Sequence, residues 1–129
     1  DLHNKEFGQE NSRLMEAVRR VNPDAVLFGG DGMVAKRGNS DIRIPLALLT
    51  GLAKEFPVYC GNGNHESRML WKSEIYGETY ENYRTALENA GIRYLPMRRR
   101  ISAVTSKSTV LIFRRVLICQ GAEKFRQDF

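Results

Sequence analysis

Two short apolar runs, Ala25-Val26-Leu27-Phe28 and Pro57-Val58-Tyr59-Cys60, constrain this chain more than any other feature. Each is brief and unbroken, the pattern of a buried parallel strand. Each also breaks directly into a glycine-rich polar turn. The first gives way to Gly29-Gly30-Asp31-Gly32 and the second to Gly61-Asn62-Gly63-Asn64-His65-Glu66. Between them Ile44, Leu48, Leu49, Leu52, Ala53 and Phe56 recur at helical spacing, with Pro45 suited to a first turn and Pro57 as a stop. Strand, helix and strand with connections of this length predict right-handed parallel crossovers and an α/β fold. Open sheets of that kind gather their polar chemistry at the carboxyl ends of the strands, so the two turns are expected side by side.

The flanking segments extend the same alternation. Asn11 is expected to cap a helix running to about Val21, with Leu14, Ala17, Val18 and Val21 as its apolar stripe. Residues 67–76 read as a loop or short helix over the turns, with Met69, Leu70 and Trp71 adjacent. Thr79 is expected to cap a helix carrying Tyr80, Tyr83, Leu87 and Ala90 on one face, with Gly91 just past its end. Residues 92–95 predict a further strand, 101–104 with 109–113 a hairpin, and 116–119 another strand.

At 129 residues the chain suits a single domain. Its net charge of +5 is unevenly spread. Residues 1–96, which bear the motifs, are close to balanced. Residues 97–129 are strand-rich and basic, with Arg98, Arg99, Arg100, Lys107, Arg114, Arg115, Lys124 and Arg126 opposed only by Glu123 and Asp128. Cys60 and Cys119 form no Cys-x-x-Cys motif, which excludes a thiolate zinc site. No apolar run approaches a membrane span, so a cytoplasmic or membrane-peripheral protein is expected. The chain opens with Asp1 rather than Met and reads as cut.

Chemistry-bearing residues concentrate at predicted strand ends. Asp1-x-His3 opens a loop, Asp31 follows the first apolar run, and Asn64, His65 and Glu66 follow the second. Carboxylate, imidazole and amide oxygen are ligands for Mn, Fe, Zn or Mg. Each residue alone has a plainer role: Asp31 and Asn64 as turn formers, His65 as a loop histidine. Their order and placement make the case together. Glu66 is expected at the start of a helix, where the dipole favours a carboxylate.

Asp-x-His, Gly-Asp and Gly-Asn-His-Glu, in this order at strand ends, resemble the calcineurin-like metallophosphoesterase superfamily, most nearly its small bacterial, YkuE-like phosphohydrolases. The resemblance covers residues 1–66 firmly and fades after about residue 96. It implies the N-terminal portion of a β-sandwich flanked by helices and two divalent ions (Mn, Fe, Zn, Co or Mg). It further implies that Asp1 and His3 hold one ion, Asp31 bridges both, and Asn64 holds the second. A hydroxide held between the ions would attack phosphorus, with His65 beside the leaving oxygen, where it would stabilise the transition state or donate a proton. The substrate would be a phosphorylated small molecule or a lipid-linked phosphoester or pyrophosphate.

Two departures qualify what is implied. The stretch Gly32-Met33-Val34-Ala35 lacks the second Asp and the Arg of the protein Ser/Thr phosphatase branch. No histidine follows His65, whereas the family completes its centre with a Gly-His and a Gly-His-x-His. The chain is therefore expected to be an N-terminal part that lacks the C-terminal half and alone binds metal weakly and turns over little substrate. It would also lack a first strand, whose neighbours would keep unpaired backbone. The rival readings are a degenerate, non-catalytic relative or a basic module for nucleic acid or anionic lipid. Nucleic acid is disfavoured because the basic segment has no interleaved aromatics. Peripheral contact with an anionic membrane, touching at Met69-Leu70-Trp71, suits a lipid-linked substrate.

Overall fold

The computed structural model describes residues 2–38 and 40–95, together with the backbone of residues 116–119. A single 3-10 turn, Gln9–Asn11, leads into helix α1 (Ser12–Val21) and strand β1 (Ala25–Phe28). Helix α2 (Arg43–Ala53) and strand β2 (Val58–Gly61) follow, then helices α3 (Asn64–Trp71), α4 (Ser73–Tyr76) and α5 (Thr79–Asn89). Strands β3 (Arg93–Leu95) and β4 (Val116–Cys119) complete the elements. The strands form one parallel sheet in the order β3-β2-β1-β4, as the α/β reading requires. The hairpin expected at 101–113, Asp1 and the basic residues from Arg98 to Arg115 and beyond lie outside the described residues. No helix among the described residues is long and apolar enough to cross a membrane.

From β1 through β2 to β3 the chain steps in one direction across the sheet. Right-handed crossovers then place α2 and α5 on the same face, and these two helices do pack against each other. Their buried side chains, among them Leu48, Leu49, Leu52, Tyr83 and Leu87, form one core with Val26, Val58 and Cys60. Strand β1 is covered almost throughout, with Ala25, Val26 and Phe28 buried. Strand β2 instead alternates: Val58 and Cys60 are buried, while Tyr59 is partly exposed beneath the Arg93 guanidinium, 5.8 Å from its ring centroid. The second apolar run thus behaves as a half-buried strand with a period of two.

Several expected details differ for identifiable reasons. The Asn11 side chain does not cap α1. It is buried, and its Oδ1 accepts the N–H of Phe7, closing the turn before the helix. The stripe on α1 narrows to Val18, with Leu14 packed at its edge and Val21 exposed. Thr79 is the first residue of α5, and its hydroxyl donates backward to the Tyr76 carbonyl. β4 pairs with β1 along its length, from Ala25↔Val116 to Phe28↔Cys119. Strand β1 therefore has a paired neighbour on both edges, contrary to the unpaired backbone expected beside a missing strand.

Candidate metal centre

The register of the sheet brings the two polar turns level. Phe28 pairs with Cys60, so residues 29–32 and 62–64 leave the sheet side by side. They approach so closely that a Cβ on Gly30 would lie 1.9 Å from the Gly63 nitrogen. A Cβ on Gly63 would lie 2.3 Å from Asp31 Oδ1. Gly30 also has φ of 95°, a conformation that penalises any side chain. Glycine at both places is what lets Asp31 reach across to the second turn.

Glu66 locks the pair together. It stands at the third position of α3 and is fully buried. Its Oε2 accepts the N–H groups of Asp31 (2.8 Å) and Gly63 (3.0 Å), and Oε1 accepts that of Gly32 (2.9 Å). The structural role expected at the helix start is present, and it extends further than a dipole contact. One carboxylate satisfies three main-chain donors from two turns, which offsets the cost of burying its charge.

Asp31 is the hub of the site. Its φ of 54° lies in the left-handed region, which Asp tolerates better than most residues. The surrounding bonds hold it there. Its N–H goes to Glu66, and its carbonyl accepts the N–H groups of Leu2 (2.8 Å) and His3 (3.0 Å). Such over-determined strain is characteristic of functional positions. The Asp31 carboxylate is nearly buried, and its Oδ1 accepts the main-chain N–H of His65 at 2.9 Å. The positive end of α3 thus stabilises two carboxylates, Asp31 and Glu66, through its first N–H groups.

His65 lies in the first turn of α3, not in a loop as its sequence context suggested. Its ring meets that of His3 edge to face, with centroids 5.1 Å apart and planes at 89°. Burial holds the His65 imidazole below its ordinary pKa, and the nearby His3 and Arg68 act in the same direction against Asp31 and Glu66. Its Nδ1 accepts the N–H of Ala35 at 3.0 Å.

Three of the four expected ligands, His3, Asp31 and Asn64, converge here. The fourth, Asp1, lies outside the described residues. No group of three His, Cys, Asp or Glu side chains is arranged to hold a metal among the described residues. The donor chemistry nevertheless suits a divalent cation. With its nitrogen inward, the Asn64 amide donates to Asp31 Oδ2 at 2.8 Å and Oδ1 at 3.2 Å. With its oxygen inward, amide and carboxylate oxygens would face one another, an arrangement that a cation between them would relieve.

Two contributors have little sequence signal. Asn4 follows Asp1-x-His3 with φ of 58°. Its Oδ1 accepts the N–H of Val34 (2.7 Å) and its Nδ2 donates to the Asp41 carbonyl (2.6 Å), fastening Val34 and Asp41 to the turn that carries His3. An Asn tolerant of left-handed backbone was a possible clue to this turn. Ala35 acts through its peptide group alone, which side-chain reasoning cannot see. The family model for calcineurin-like phosphoesterases matches residues 1–128. Comparison with curated proteins and with solved structures returned no significant match.

Proposed function

The chain belongs to the calcineurin-like phosphoesterase family, and we propose that it carries the metal-holding turns of a phosphohydrolase acting through a dinuclear divalent-metal centre. The observation that carries this reading is the convergence on Asp31 of Asn64 and His65 from the adjacent strand end, with His3 opposite. Asp1 and His3 would hold one ion, Asp31 would bridge, and Asn64 would hold the other. Divalent ions at this position supply Lewis acidity toward a phosphoryl oxygen and toward water. Asp31 supplies the negative charge that lets two cations sit together, and Glu66 keeps its turn in place. His65 lies beside these ligands, against the His3 ring and Asp31, and is suited to the leaving oxygen of a phosphomonoester, phosphodiester or pyrophosphate.

Binding and turnover test this separately. Substoichiometric Mn2+ should broaden the imidazole NMR signals of His3 and His65 before other signals, and Asp31→Asn should abolish the selectivity. Hydrolysis of bis-p-nitrophenyl phosphate, expected to be slow in a chain without the later histidines, should require added metal and disappear in Asp31→Asn. Uniform broadening, or turnover indifferent to Asp31, would refute the proposal.

A lipid-linked substrate presented at an anionic membrane is favoured by one surface feature. Leu70, Ile75 and especially Trp71, 78% exposed, lie within six residues, next to the exposed cations Arg68 and Lys72. Met69, expected to share this apolar contact, is instead buried in the core. Tyr76 OH donates to the Ala35 carbonyl (3.4 Å), linking α4 to a loop that carries exposed Lys36 and Arg37. Apolar groups flanked by basic ones match an anionic bilayer. Trp71 emission should shift to the blue with phosphatidylglycerol vesicles at low salt; no shift would count against membrane contact.

A further inference from the structure

A peptide N–H can only donate a hydrogen bond. Ala35 N–H points at His65 Nδ1 from 3.0 Å, so that ring nitrogen must be the acceptor. A neutral imidazole with an accepting Nδ1 carries its proton on Nε2. The Ala35 peptide is itself firmly placed. Ala35 is 3% exposed, the preceding Val34 N–H is bound by Asn4, and the Ala35 carbonyl accepts the Tyr76 hydroxyl. On its other side the imidazole meets the His3 ring.

We propose that Ala35 is the positioning residue for His65, its main-chain N–H fixing both the orientation and the Nε2–H tautomer of the ring. An imidazole held this way acts from Nε2 as a neutral hydrogen-bond donor. It stabilises charge gathering on a phosphoryl or leaving oxygen without releasing a proton. An imidazolium would set an Nδ1–H against the Ala35 N–H, so the role of proton-releasing acid conflicts with this contact. The inference deepens the phosphohydrolase reading and rests on it for its catalytic consequence, but not for its geometry.

The geometry is tested without turnover. In the nitrogen-15-labelled full chain, an across-bond scalar coupling should connect the Ala35 amide nitrogen to His65 Nδ1, and the attached proton should be found on Nε2. Ala35→Gly, which retains the N–H, should preserve both signatures. Ala35→Pro, which lacks it, should remove the coupling and let the tautomers mix. Absence of the coupling in the unaltered chain, or a proton on Nδ1, would overturn the assignment even if the proline variant did not fold.

The catalytic consequence is read from His65→Gln, whose side-chain amide can donate from about the place of Nε2. It should retain turnover within about tenfold, whereas His65→Ala should lose about 100-fold or more. If glutamine is as damaging as alanine, the neutral-donor role is wrong. Coupling without selective Mn2+ broadening of the His3 and His65 signals would sink the phosphohydrolase reading and leave the positioning intact.

Discussion

Replacing Glu66 with glutamine changes one atom and one charge in a fully buried position, and its cost can be worked from three contacts. In the native chain Oε2 serves Asp31 N–H and Gly63 N–H, and Oε1 serves Gly32 N–H. Glutamine keeps a single acceptor oxygen. The best orientation places that oxygen where Oε2 was, retaining two bonds in weaker, uncharged form. Its –NH2 group then faces the Gly32 N–H, leaving a buried donor without an acceptor. A hydrogen bond to a charged group contributes about 1.5–3 kcal/mol, a neutral one about 1 kcal/mol, and a stranded buried donor costs about 1–3 kcal/mol. Against this, the neutral side chain is cheaper to desolvate. The expected net loss is about 2–3 kcal/mol, a large share of the total stability of a small domain.

Urea unfolding followed by far-UV circular dichroism is the suitable assay, since Trp71 is too exposed to report on the core. The midpoint should fall while the urea dependence keeps its slope, because little new surface is uncovered in the native state. A loss below about 1 kcal/mol would refute the claim that this carboxylate ties the two turns together.

Other perturbations probe the same construction. Gly30→Ala should cost about 3 kcal/mol or more, since its Cβ meets the main chain of Gly63 at a positive φ; Gly38→Ala, with open space around it, should cost about 1 kcal/mol, both read by urea unfolding. Burial pushes the Cys60 thiol up to about 12, with the Glu66 carboxylate adding and the Tyr83 hydroxyl opposing. Site-resolved mass spectrometry should therefore find Cys60 unalkylated in the folded chain at about pH 9 and alkylated in urea. The depressed pKa of metal-free His65 should appear in its NMR titration as a midpoint below about 6.5. Since the unfolded ring protonates first, its stabilising contribution is complete above that value and is lost as pH falls through the folded midpoint. Asn64→Asp should destabilise the metal-free chain by about 1–2 kcal/mol near neutral pH by setting a second carboxylate against Asp31, a loss that acidification relieves in the same unfolding assay.

The sheet was legible in the sequence wherever local pattern decides structure. Ala25–Phe28 is uniformly apolar and ends in glycine, and it forms β1 with those bounds. Helix starts were harder, because the polar side chains at Asn11 and Thr79 bond backward to Phe7 and Tyr76 instead of to their own helices. Both choices preserve a hydrogen bond, and only the tertiary path of the chain selects between them. The place of β4 beside β1 was not legible at all. Residues 116–119 have the composition of a strand, but a pairing across about ninety residues leaves no local mark on either partner.

The site shows the same division between side-chain type and main-chain path. His3, Asp31, Asn64 and His65 could be named because a particular chemistry needs their side chains, and strand ends were the place to look. What holds them is mostly peptide groups: Ala35 N–H on His65, His65 N–H on Asp31, and three N–H groups on Glu66. This division also gives a reason for an amide at position 64. A second carboxylate beside Asp31 would bind cations strongly, yet even at the exposed position 64 it would set a like charge against the buried Asp31 in the metal-free fold. Asn64 carries no such charge, and with its nitrogen inward it donates to both Asp31 carboxylate oxygens. The metal-free fold is thereby spared a like-charge pair, with Glu66 and the two glycines holding the turns in contact.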